Sequence, residues 1–231
     1  MPAKSGASLL LVKNDQSSEW SYFIHYLRNS LGTLGALADY YGDHPPSEQQ
    51  VKKLLEQVKK LALQSKDYIA AFSEFTKPFD PVLRPVVMPE WFRDHVALHR
   101  VSSAPGIRFT LTLPQEPFLV AADPEQLARA VNAFLENALE AVPPDGELSV
   151  SLSAEDGYAV FRFRNAGQQL SPTVLPDLGK PFLTMKTGRL GMGLAWARRA
   201  ADVHRGDFGG ANVPGGVEFW MMIPVIPGGI P

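Results

Sequence analysis

From Trp20 to Tyr41 the apolar residues recur at Trp20, Ile24, Leu27, Leu31, Leu34, Ala38 and Tyr41, in alternating steps of four and three. A repeat of that length lines up one seam of a helix, and such a seam is stable only against other helices. Gly42-Asp43-His44-Pro45-Pro46 ends the pattern, because proline lacks an amide hydrogen and clashes with the turn before it. Ser47 then stands where an N-cap belongs, ahead of a second stripe of Val51, Leu54, Val58, Leu61, Ser65, Tyr68, Phe72 and Phe75. Pro78 and Pro81 stop it. Two helices joined by a tight turn make an antiparallel hairpin. Its stripes are wider than one hairpin can cover. Either two copies form a four-helix bundle, giving a homodimer, or the hairpin docks on the rest of its own chain.

The remainder alternates between strand and helix signals. Ile107 to Leu113 has an apolar residue at every second place, the period of a half-buried strand. Asp123-Pro124-Glu125-Gln126 is a helix start, with Asp as N-cap, Pro at the first helical position and Gln at the capping-box place. That helix runs to Val142. ELSVSLS and YAVFRFR, separated by Ala154-Glu155-Asp156-Gly157, predict a β-hairpin. A Pro/Gly-rich stretch from Ala166 to Gly188 predicts a long loop, and loops of that length are usually functional. Gly191 to His204 is a further helix, and the chain closes with a strand, a Pro-Gly-Gly turn and VEFWMMIPV. The expected fold class is α+β: a helical hairpin over 1–80 and an α/β sandwich over 81–231, with one mixed sheet and helices on one face.

Composition narrows the function classes. The 231 residues include 45% hydrophobic and 20% charged residues with no cysteine, which excludes disulfides, thiolate catalysis and Cys-based zinc sites. A formal net charge of −2 argues against a nucleic-acid or anionic-membrane partner. Neither the N-terminal apolar run nor FWMMIPVIPGGIP has the length of a membrane span. The expected localisation is cytoplasmic, with any stimulus-sensing part on another chain.

Three groups of residues carry candidate chemistry. In FIHYLRNSL, His25 lies about 100° round the helix from the seam residue Ile24, facing solvent, with Asn29 one turn on along the same face. An exposed imidazole is either an ordinary surface histidine or a nucleophile working near neutral pH. In AFLENALEAV, Asn137 sits among Ala130, Ala133 and Ala141, where small side chains leave room for a ligand. Its carbonyl oxygen suits Mg²⁺, unless it is simply solvated. In PFLTMKTGRLGMGLAWARR, Gly188, Gly191 and Gly193 precede a helix beside Lys186 and Arg189. That pattern is a phosphate cradle or a flexible turn. His95 and His99 are four apart, a spacing that two metal ligands share, but without a third ligand they read as a solvated helix face.

The order of these parts resembles the core of two-component sensor histidine kinases from about Trp20 to Val225. FIHYLRNSL looks like the H-box, FSEFTKP the exit of the second hairpin helix, AFLENALEAV the N-box and RNAGQQLSP the first glycine box. PFLTMK resembles the F-box, TGRLGMGL the second glycine box and HRGDF the strand start that follows. The resemblance implies a dimerisation hairpin with His25 as phosphoacceptor and a Bergerat-type domain binding ATP and Mg²⁺. Asn137 would hold the metal, Asn165 and Gly167 the base, and Lys186, Gly188, Gly191, Gly193 and Leu194 the rest of the nucleotide. It also implies a homodimer and a response-regulator receiver domain as partner, the regulator's aspartate taking the phosphoryl group.

The chain departs from the family pattern at four places. Tyr26 replaces the carboxylate beside the phosphoacceptor, Ala133 the first N-box asparagine, Asn165 the adenine-binding aspartate and Gln169 the second glycine of its box. These leave an alternative reading, a histidine phosphotransfer or response-regulator phosphatase protein with a degenerate ATP domain. A third is a dimeric scaffold without chemistry. Asn29 is the residue a phosphatase would use to orient water.

Overall fold

The computed structural model describes residues 16–78, 80–101, 106–184 and 189–228, with side chains for all of these except 16–20, 100 and 101. Helices α1 (Gln16–Asp43) and α2 (Glu48–Thr76) form the hairpin. Ser47 caps α2 as a full capping box: its hydroxyl accepts from the Gln50 amide, and the Gln50 side chain accepts from the Ser47 amide.

The second part is built on β1 (Arg84–Met88), α3 (Glu90–Val101), β2 (Arg108–Thr112), β3 (Phe118–Ala122) and α4 (Pro124–Ala141). It continues through β4 (Glu147–Glu155), β5 (Tyr158–Asn165), α5 (Gly193–Val203), β6 (Asp207–Val213) and β7 (Gly216–Pro224). The main sheet has the order β2-β4-β5-β7-β6, parallel between β2 and β4 and antiparallel elsewhere. Asp156 and Gly157 have φ of 49° and 82°, the double left-handed geometry of the two-residue turn that joins β4 to β5.

One expectation needs amending: the described residues form two sheets. β1 and β3 pair only with each other, antiparallel, and attach to the main sheet through a Val120–Val225 bridge. Both are five-residue strands separated by an intervening helix and strand, and β1 contains Pro85, so neither advertised itself locally. The core lies between the main sheet and α3, α4 and α5. Phe92, Phe134, Phe161, Phe163 and Leu127 are fully buried there.

The start of α4 is held in an unforeseen way. Asp123 caps it, its carboxylate accepting from the amides of Glu125 and Gln126. The amide of Asp123 itself donates not to Gln126 but to His204 Nε2, at 2.9 Å. His204 is buried at the end of α5, and its Nδ1–H donates to the Ala200 carbonyl at 2.6 Å. Both ring nitrogens are thus committed to the neutral form. Burial pushes the pKa of His204 down, against the opposing pull of the Ala200 carbonyl and of Asp123.

The sign of the consequence follows. The unfolded chain takes up this proton near the ordinary histidine value of about 6.5, and the folded one only at lower pH. His204 therefore contributes stability above that value, which is lost progressively as the pH falls below it. Melting temperatures at pH 7.5 and 5.5 should show a larger loss for the wild type than for His204→Gln. Equal losses would show that this ring does not govern the acid side.

Candidate active site

A cavity of about 450 Å³ opens between α4, the start of α5 and the loop joining β5 to α5. Small-molecule pockets commonly have volumes of roughly 300–1,000 Å³. Helix α4 contributes Ala133, Glu136, Asn137 and Glu140, four residues of one face. The loop supplies Leu178, Gly179, Lys180, Leu183 and Thr184. Arg189, Gly191, Met192, Gly193 and Leu194 close the other side.

Of the residues assigned from sequence, Asn137, Gly191, Gly193 and Leu194 line this one cavity. Lys186 and Gly188 lie outside the described residues. Gly191 has φ of 69°, and a Cβ there would stand 2.8 Å from the Leu183 carbonyl oxygen, so the loop can close onto the helix start only over glycine. Sequence reasoning missed Lys180, Glu136 and Glu140. Lys180 pairs with Asp177 at 2.6 Å and Arg189 with Glu140, so the cations at the rim are held by carboxylates. The spacing of Glu136 and Glu140 around Asn137 was the available signal.

Asn165 and Gly167 do not line the cavity; they sit where β5 ends, against the C-terminal end of α4. A Cβ on Gly167 would lie 2.5 Å from the Ala141 carbonyl oxygen, so this approach also requires glycine. Asn165 is 1% exposed, and its Oδ1 accepts from the Gly167 amide at 3.0 Å. Its Nδ2 is buried with no hydrogen-bond partner among the described residues. An unmatched buried donor costs about 1–3 kcal/mol. Gln169 reaches the Val213 carbonyl at 3.2 Å, and Leu170 exchanges two 2.8 Å hydrogen bonds with Asn212, pinning the loop to the β6–β7 turn.

Asn132 does not replace the amide missing at Ala133. It turns away from the cavity, its Oδ1 lying 2.5 Å from His95 Nε2 and 2.7 Å from His99 Nε2. The sequence reading had placed those histidines on a solvated face. Both are half-buried on α3 instead.

On the hairpin, His25 and Asn29 are exposed, and the Asn29 amide nitrogen lies 3.0 Å from His25 Nε2. Its N–H donates to that nitrogen, so the ring proton resides on Nδ1. Tyr26 turns inward, its ring stacked on Tyr68 at 3.3 Å between centroids. Its hydroxyl is buried with no partner among the described residues.

The hairpin also touches the cavity's loop. The Tyr22 hydroxyl donates to Asp177 at 2.6 Å; this bond and burial push the tyrosine up to about 12. Lys180 and then Tyr22 hold the Asp177 carboxyl below its usual range. Phe182 has φ of 64°, uncommon for a phenylalanine, and packs among Phe23, Tyr68 and Phe72 with centroids 5.2–5.9 Å away. Arg199 donates to the carbonyls of Phe75 and Lys77, tying α5 to the end of α2. Tyr22 and Phe23 lie within one turn of His25, which places its helix against the cavity rim.

Residues 122–227 match the family of histidine kinase-, DNA gyrase B- and HSP90-like ATPases. The sensor histidine kinase ZraS of Escherichia coli O157:H7 is 25% identical over 209 residues, 87% of this chain and 44% of that protein. Over most of its length the chain is similar to sensor histidine kinases. Sensor histidine kinase TmoS of Ectopseudomonas mendocina is 24% identical over 89% of this chain and 22% of its own length. The chain thus spans under half the length of these curated relatives. A mycobacterial sensor histidine kinase, MprB, matches 63% of this chain and 99% of its own at a TM-score of 0.55 and 27% identity. Histidine kinase ThkA, solved in complex with response regulator TrrA, shares the fold over 91% of this chain and 62% of its own, at TM-score 0.64 and 19% identity. Among the described residues no helix is long and apolar enough to cross a membrane.

The residues present fit a magnesium nucleotide. Asn137 offers a hard oxygen on the cavity face of α4, between Glu136 and Glu140, and Gly191 and Gly193 bare their backbone. Lys180 and Arg189 stand at the rim as basic side chains, each paired with a carboxylate that a phosphate would have to displace. The unmatched Asn165 Nδ2 suits a ring-nitrogen acceptor, and Oδ1 can still accept from an amino group.

Proposed function

We propose that this core binds Mg-ATP and transfers its γ-phosphoryl group to His25. The O–P bond to ADP breaks as the new N–P bond forms at Nε2. The phosphoryl group then passes to an aspartate of a response-regulator receiver domain. Asn137 would hold the Mg²⁺, whose charge neutralises the phosphate oxygens. Lys180, Arg189, Lys186, Gly188, Gly191, Gly193 and Leu194 would surround the phosphates, with Asn165 and Gly167 at the base. The observation that carries this reading is the packing of Tyr22 and Phe23 on Asp177 and Phe182, which sets the His25 helix beside the cavity.

The protein would act as a cytoplasmic homodimer with its sensor on a longer or separate chain. Ile24, Leu31, Leu55, Leu63 and Ile69 remain exposed on the hairpin, an apolar surface that a second hairpin would cover. The relatives named above are all called kinases, which lends no support to the phosphatase alternative.

Incubation with γ-labelled ATP and Mg²⁺ should label the protein with acid-labile, alkali-stable phosphate. Saturating Mg-ATP should raise the melting temperature, since ligand at a hundredfold excess over its dissociation constant adds about 2.7 kcal/mol. Asn137→Ala should lose most of that shift. A wild type that shows neither label nor shift would sink the reading.

A further inference from the structure

We propose that His95, His99 and Asn132 form a binding site for a divalent transition-metal ion, with zinc the best match, at the seam between α3 and α4. The two histidines are one turn apart on α3, so their rings project from one face. Asn132 comes from α4, and its carbonyl oxygen lies 2.5 Å from one Nε2 and 2.7 Å from the other. Three donor atoms from two helices thus converge on one point. All three side chains are half-buried, which limits competition from bulk water while leaving an access path. Trp91 stacks on the His95 ring with 5.0 Å between centroids and 6° between planes, fixing its orientation.

The donor set selects the ion. Imidazole suits zinc, nickel, cobalt and copper, whereas magnesium and calcium require mostly oxygen ligands. Ligands bound at about 2.0–2.1 Å in a tetrahedral shell stand about 3.3 Å apart. The present separations are tighter by less than an ångström, so a small rotation of the Asn132 side chain admits the ion. Without the ion each Nε2–H donates to the Asn132 carbonyl; on binding, each ring gives up that proton through solvent and takes one at Nδ1, so that Nε2 presents its lone pair to the metal with no net proton release. Solvent completes the shell. Among the described residues no three of His, Cys, Asp and Glu cluster in this way, so the amide is the third protein ligand. The ion would link α3 to the helix whose next residue, Ala133, lines the nucleotide cavity.

The test is calorimetric titration of the metal-free 231-residue chain with zinc chloride, paired with electron paramagnetic resonance of the copper(II) form. Wild type should bind one equivalent at micromolar metal, and copper should show two coordinated imidazole nitrogens. His95→Ala and His99→Ala should each weaken zinc by at least the roughly 10–100-fold typical of losing an outer-shell partner. His44→Ala should have no effect. Asn132→Asp should tighten binding through its charge and Asn132→Ala should loosen it. This pair decides the matter if the histidine variants fail to fold. Absence of zinc uptake by the wild type, uptake indifferent to both histidines, or equal affinities for the two Asn132 variants would each overturn the site.

Discussion

A His25→Ala protein should take up no acid-labile phosphate from ATP, while Tyr26→Glu should label faster than the wild type. The first expectation follows from the arrangement at the exposed end of the reaction. Asn29 donates to Nε2, which keeps that nitrogen unprotonated; its lone pair is freed for attack when the amide swings aside. The second follows from what His25 lacks. A positioned general base is worth roughly 10²–10⁴ in rate. Tyr26 cannot serve, because its ring is stacked on Tyr68 and its hydroxyl is buried in the hairpin. Wild-type labelling should therefore be slow.

A glutamate at 26 would restore a carboxylate beside the nucleophile but give up that stack, so the same variant should melt lower as it labels faster. Rate and stability moving in opposite directions is the signature to look for. Unchanged labelling in a folded Tyr26→Glu protein would refute the missing-base explanation, and phosphohistidine on His25→Ala would refute the choice of acceptor.

Phe134→Ala should strongly destabilise the α/β part of the chain, costing about 3–5 kcal/mol. Phe134 is fully buried, stacked on Phe163 at 4.8 Å and near Phe208 at 5.7 Å. Removing it leaves a void where α4 packs against β5 and β6, and dense interiors refill such voids poorly. Because α4 also carries Asn137, nucleotide binding should weaken with it. Urea unfolding would read the effect as a lower midpoint at unchanged slope. As a contrast, Leu31→Ala removes a side chain that is 65% exposed within one protomer. It should cost little unless a second hairpin covers it. A loss below about 1 kcal/mol for Phe134→Ala would mean the site collapses without a cavity, against the packing described.

The hairpin was legible because its signals are local. Its seam, the capping box at Ser47–Gln50 and the proline stops are all read within a few residues. The β4–β5 turn was equally plain, since Asp156-Gly157 is a pair that accepts left-handed backbone. The cavity was legible in part. Asn137, Gly191, Gly193 and Leu194 belong to motifs whose spacing on a helix or at a helix start can be counted. Glu136 and Glu140 share the Asn137 motif and its helix face, whereas Lys180 belongs to no motif and gained meaning only from the shared wall.

What the amino-acid order determined by itself was therefore the elements, their caps and the face each residue occupies. These depend on interactions between residues three or four apart. Tertiary structure alone decided the rest: the separate β1–β3 ladder, His204 bonding the Asp123 amide 81 residues away, Tyr22 bonding Asp177 across 155 residues, and Asn132 turning from the cavity to two histidines. A polar atom's partner across such a separation is chosen by which surfaces pack together. Periodicity states that a face is buried without stating against what, so only the assembled chain brings these groups within hydrogen-bonding range.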